Sequence, residues 1–204
     1  MKPYPALAVI EFGSIADGIY CADALLKKAP IAMIKAGSVS QGRYLIILGG
    51  STASVEEALN EALAVGQASH LDHAFLPDVH PQVHDAVLGQ RLPMQQDAVA
   101  VLETATVASN VRAAELALKA TNVRLVELRL AEYEMSGKAI SLFNGELYEV
   151  QAAMELVAGF LSGRKEYVKH CIICQPHEAL TQELAESTRF ATAKPVKLEG
   201  EEVS

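Results

Sequence analysis

The chain has 204 residues, 50% of them hydrophobic but only 5% aromatic, with no Trp, which describes an aliphatic, Ala-rich interior. A formal charge of −8 and a pI near 5.3 exclude the basic stripe of a nucleic-acid module and the polybasic patch of a membrane-surface anchor. No segment approaches a span of about 18 apolar residues. The opening MKPYPALAVIEF has too short an apolar run for a signal peptide, and three cysteines without such a signal indicate a reducing cytoplasm.

In chain order, the apolar run 6–12 predicts a buried strand. Ser14 is an N-cap with acidic Asp17 three residues on. Ile15, Ile19, Ala22 and Leu26 then recur at i, i+4, i+7 and i+11 on one helical face. Strands over 31–37 and 43–49 follow, joined by the loop VSQGRY (39–44), then a helix over about 54–66, a strand and a short helix. ILGGSTAS (47–54) is Gly-rich ahead of a helix but lacks the Lys of a phosphate loop, so it predicts a helix cap. GQRLPMQQD (89–97) reads as a linker.

Beyond it the chain repeats itself. ALAVIEFGSIADGIYCADALLKKAPI (6–31) lies over AVAVLETATVASNVRAAELALKATNV (98–123) without a gap, so that Glu11 meets Glu103 and Lys27 meets Lys119. Thr106 takes the place of Ser14, and Val107, Val111, Ala114 and Leu118 repeat the helical face. Strands over 123–130 and 138–143 and a helix over 147–161 complete the copy. The register slips only at AEYEMSGKA (131–139), three residues longer than its counterpart, before Gly137 aligns with Gly42. The order βαββαβ(α), twice, predicts an α+β fold of two tandem ferredoxin-like domains: 5–88, a linker at 89–97, 98–187 and a mobile tail at 188–204.

CIIC (171–174) matches C-x-x-C, but on a strand residues three apart face opposite ways, so Cys171 and Cys174 are read as buried structural residues, as is Cys21. HLDHAFLPDVHPQVH (70–84) holds four His, of which His80 and His84 share a helix face. The second copy offers only His170 and His177, so surface and capping roles are predicted and no metal. A metal-dependent enzyme built on 70–84 and a ferredoxin-like trimer binding small ligands between subunits are the alternative readings.

The strand–helix segment 6–31, the turn GRYLIILGGSTASVEEAL (42–59), the D-A-x-x-K helix (DALLK, 23–27) and QPHEAL (175–180), all in order and in two copies, resemble the bacterial microcompartment shell domain. The arrangement is similar to the non-permuted tandem class found in propanediol-utilisation compartments. That resemblance implies a homotrimer imitating a hexamer, tiled beside single-domain hexamers and vertex pentamers in a shell inside the bacterial cytoplasm. It implies structure rather than catalysis, and a central pore for small metabolites. Pore-lining residues are then Ser40, Gln41, Glu134, Met135 and Ser136, with Glu132 nearby, and tile-edge residues are Lys27 and Lys119. Gln175 stands where the family often carries an Arg. In the propanediol relative the position of Ser40 is a Cys that ligates an iron–sulfur cluster; a hydroxyl replaces thiolate poorly, so no cofactor is expected here.

Overall fold

The computed structural model describes residues 4–95 and 97–196. The first repeat forms β1 (Ala6–Phe12), α1 (Ile15–Lys28), β2 (Met33–Val39), β3 (Arg43–Gly50), α2 (Thr52–Val65), β4 (His70–Leu76) and α3 (Pro81–Val87). The second forms β5 (Ala98–Thr104), α4 (Val107–Ala120), β6 (Arg124–Leu130), β7 (Ala139–Gly145), α5 (Leu147–Leu161), β8 (Tyr167–Ile173) and α6 (Glu178–Glu186). Each copy makes one antiparallel four-stranded sheet, in the orders β2-β3-β1-β4 and β6-β7-β5-β8. This is the predicted α+β architecture.

β1 is apolar except for Glu11 because both of its faces are covered. Ala6, Ala8, Ile10 and Phe12 pack with Ile46 and Leu48 beneath Cys21 and Leu25 of α1 and Val55, Ala58 and Ala62 of α2. Leu7, Val9, Leu45 and Ile47 point the other way and join Val79, Val83, Ala86 and Val87 in and before α3. Cys21, as predicted, is fully buried.

Helix starts follow their caps. The hydroxyls of Ser14 and Thr106 accept the amides of Asp17 and Ser109, and Ser51 accepts that of Ser54. His80 and His177, at matching positions ahead of α3 and α6, each accept an amide two residues on through Nδ1. The copies differ by compensating sizes. Gly18 lets Tyr44 lie against α1, where an added Cβ would fall 2.6 Å from the ring. In the second copy the same places hold Asn110 and the small Ala139, and the Asn110 amide donates to the Ala139 carbonyl.

The segment read as a linker is tied to the second repeat: Arg91 donates to the Leu184 and Ala185 carbonyls, and Leu92 N–H to Val126. The head of the segment read as a mobile tail is also held. Thr188 donates to Glu127, and Arg189 pairs with Glu127 and Glu132. The remainder of that reading, 197–204, lies outside the described residues.

Candidate functional site

The two loops whose lengths differ between the copies lie side by side. In the first, Ser40–Gly42 make a short 3-10 turn that ends with Gln41 and Gly42 at φ of 63° and 67°. In the second, Tyr133–Met135 make such a turn and Ser136 and Gly137 follow at 49° and 78°. Ser40 joins them. Its N–H and its hydroxyl both donate to the Ala131 carbonyl, and the hydroxyl accepts the Gly137 amide at 2.7 Å. Arg43 then donates to the Gly137 carbonyl and to Gln41. A side chain at Gly137 would meet Arg43 and Gln41 at 2.6 Å, so the left-handed backbone and the close approach both require Gly there.

Below the loops, the first repeat meets the N-terminal end of α4. The Ala108 amide donates to Glu11 Oε1 at 2.8 Å. Thr106 and Ser109 donate their hydroxyls to Asp72 at 2.6 and 2.7 Å. Carboxylates at a helix N-terminus are favoured by its unpaired amides and dipole. Glu11 is fully buried, and its Oε2 has no hydrogen bond, lying 3.7 Å from Arg43. Burial pushes its carboxyl up to about 7; the Ala108 amide and Arg43 pull downward, and Asp72 pushes upward. Further along the seam, the His80 amide donates to Glu115 at 2.9 Å and Lys119 to the Asp78 carbonyl at 2.6 Å. Gln82 of α3 accepts the Leu125 amide of β6.

This seam explains an asymmetry between the repeats. On α4 the apolar face Val107, Val111, Ala114 and Leu118 is buried against the first repeat. Its counterpart on α1 stands open: Ile19 is 55% exposed and Leu26 46%, where Val111 and Leu118 are 0% and 6%. The opposite end is open too, for Val168, Lys169 and Cys171 of β8 are exposed.

The BMC domain model matches the chain twice, over residues 6–79 and 98–176. The chain belongs to the BMC domain family. It is a bacterial microcompartment shell protein with two BMC domains in tandem. It is 29% identical over 181 residues to the bacterial microcompartment shell protein PduT of Citrobacter freundii, covering 89% of this chain and 98% of PduT. A solved microcompartment protein from Desulfitobacterium hafniense superposes with a TM-score of 0.76 at 31% identity, covering 87% of this chain and 98% of that one. The double ringed trimeric shell protein MSM0271 of the RMM microcompartment shares the fold at a TM-score of 0.56 and 17% identity, over 78% of this chain and 83% of its own.

In the shell protein the five residues read as pore-lining are gathered at the paired loops but differ in access. Gln41, Glu134 and Ser136 are exposed and Met135 half-buried, whereas Ser40 is buried with its hydroxyl engaged on both sides. Glu132 does not stand free beside them. Burial pushes its carboxyl up, but hydrogen bonds from Arg189 and Arg129 outweigh this and hold it below the usual range. Lys27 pairs with Asp23 at the exposed end of α1, while Lys119 bridges to the first repeat.

Cys171 and Cys174 are exposed and unpaired, not buried as the strand pattern suggested. β8 is an edge strand, and the helix that covers the matching strand β4 is α4, from the other repeat. None of the three cysteines is at the paired loops, so the residues there do not fit an iron–sulfur cluster. The four His divide. His70 and His73 face each other at 3.1 Å, both lowered, first by burial, and His80 caps α3 while His84 pairs with Asp85. Among the described residues no group of three or more His, Cys, Asp or Glu is arranged to hold a metal ion, and no helix is long and apolar enough to cross a membrane. Glu11, Asp72 and Arg43 escaped the sequence reading, although the recurrence of Glu11 and Glu103 at the end of otherwise apolar strands marks the position.

Proposed function

We propose that this shell protein is a homotrimer with pseudo-sixfold symmetry that tiles a microcompartment shell and carries a central pore for small polar metabolites. The observation that supports this reading is the seam inside the chain. It is head-to-tail, joining the β4–α3 side of one BMC domain to the α4–β6 side of the next. Head-to-tail contacts leave one unsatisfied half at each end, here α1 with β2 and β8 with α6, and closed rings satisfy them all. With two domains per chain, three chains complete a six-domain ring, and one solved shell protein of this fold is itself described as trimeric.

In that ring the paired loops of every chain surround the axis. Gln41, Glu134, Met135 and Ser136 line the opening, and Ser40 fastens the two loops behind them. Converging Glu134 carboxylates favour cations and polar solutes over anions. Lys27 and Lys119, at the ends of their helices, face the rim, where neighbouring hexamers and pentamers of the shell dock.

Light scattering on the purified protein tests the ring. The expected mass is about three times the 21.8 kDa of the chain; a stable monomer or dimer would overturn the proposal.

A further inference from the structure

We infer that an ion pair between Asp17 of one chain and Lys169 of the next sets which domain faces meet, so that every chain-to-chain seam joins a second domain to a first domain. The occupant of the open α1 face is a second copy of this chain. This rests on the ring proposed above and identifies its recognition chemistry.

The argument starts from the seam that is visible. Within the chain, Asp72 of β4 accepts the hydroxyls of Thr106 and Ser109 at the start of α4. The repeat places Ser14 and Asp17 at the corresponding positions of α1, since Ser14 caps α1 as Thr106 caps α4. On the other side, β4 and β8 pair with their central strands in the same way. Asp72 lies opposite Glu11, and Lys169 opposite Glu103, with a register shift at the next residue in both sheets. The acceptor carboxylate of the inner seam is therefore a Lys in the outer one. One of its two hydroxyl donors, Ser109, is an Asp. Both ends of the contact have changed, and they have changed in complementary directions.

The remaining contacts transfer without reversal. Glu103 occupies the place of Glu11, to receive the Ala16 amide of the next chain as Glu11 receives that of Ala108. Lys138, which pairs with Glu103, occupies the place of Arg43. The general geometry thus fits either seam, and the one reversed pair separates them. Among the described residues neither Asp17 nor Lys169 has an oppositely charged partner within the chain, and both are exposed. If the inner seam opened and its β4 edge met α1 of another chain, Asp72 would leave Thr106 and Ser109 to face Asp17, two carboxylates at hydrogen-bonding range. Like charges placed together across an interface select against the wrong partner.

The test is a charge swap read by sedimentation equilibrium across a dilution series, with circular dichroism to confirm that each variant is folded. Asp17→Lys places Lys opposite Lys169, and Lys169→Asp places Asp opposite Asp17. Each alone is expected to weaken chain association by about tenfold or more per seam, and the double variant D17K/K169D to recover most of that loss. Raising the salt concentration should shrink the difference between wild type and single variants. Single variants that associate as tightly as the wild type would overturn the pairing and leave the ring standing. Single variants that dissociate without rescue in the double variant would overturn the pairing as well, showing that the two positions act separately. A wild-type chain that is monomeric at every concentration would instead remove the ring itself.

Discussion

Glu11 makes the inner seam sensitive to pH, and Glu11→Gln isolates the effect. The Glu11 carboxyl has an ordinary value of 4.5 and is raised to about 7 in the folded chain, chiefly by burial. Between those values the folded chain binds a proton that the unfolded chain releases. Stability from this group is therefore complete below about pH 4.5 and falls as pH rises through 7. A separation of roughly 2.5 units at about 1.4 kcal/mol per unit makes the ionised group unfavourable by about 3 kcal/mol above pH 7. Gln retains an oxygen for the Ala108 amide and cannot ionise. Whatever its new N–H₂ costs beside Arg43 is the same at every pH, so the informative quantity is the change in the Tm difference between variant and wild type. At the size of this chain about 1 kcal/mol corresponds to roughly 2–4 °C. The difference should accordingly grow in favour of Gln by about 5–10 °C between pH 5 and pH 8.5, with its midpoint near pH 6 and a plateau above 7. Thermal melts at fixed protein concentration measure it. A difference that stays flat across that range would refute the reasoning, because it would mean that Glu11 is ionised throughout.

Ser40→Ala removes the acceptor of the buried Gly137 amide and leaves that N–H without a partner, at a cost of about 1–3 kcal/mol, seen as a lower Tm; an unchanged Tm would show that the loops hold together without it. Lys27→Glu should leave the trimer peak in light scattering but abolish ordered sheets in electron micrographs of concentrated protein, and sheets of wild-type quality would remove Lys27 from the tile edge.

Much of this architecture was legible because the chain states it twice. The caps at Ser14 and Thr106, the αβ order and the helix Leu147–Leu161 follow from local pattern, and agreement between the copies strengthens each of them. The failures share one physical cause. Periodicity shows that Ile15, Ile19, Ala22 and Leu26 form an apolar face, but not whether the covering surface belongs to the same chain. The identical pattern is buried on α4 and open on α1. Cys171 was misplaced for the same reason, since an apolar edge strand reads as core whether or not its cover is present. Ser40 was read as pore-lining, and nothing local signals its contacts with Ala131 and Gly137, which lie more than ninety positions away. Arg91 and Arg189 looked like linker and tail for want of any local sign of Glu127 and Glu132.

The longer second loop follows from the duplication itself. In a ring of six identical domains every seam and every loop must be the same, so a residue that suits one contact is imposed on all of them. Joining two domains in one chain leaves two kinds of seam and two kinds of loop, each free to change. The cores have changed least: β1 and β5 keep their length and their pairing, and Gly18 with Tyr44 is exchanged for Asn110 with Ala139. The changes collect where the copies meet. At the paired loops, three added residues carry Ala131 and Gly137 to either side of Ser40, a contact that equal loops could not make without each also supplying the opposite half. At the seam, a carboxylate and a hydroxyl on one side of the chain are answered by an ammonium and a carboxylate on the other. Both are differences that a single repeated domain has no means to hold.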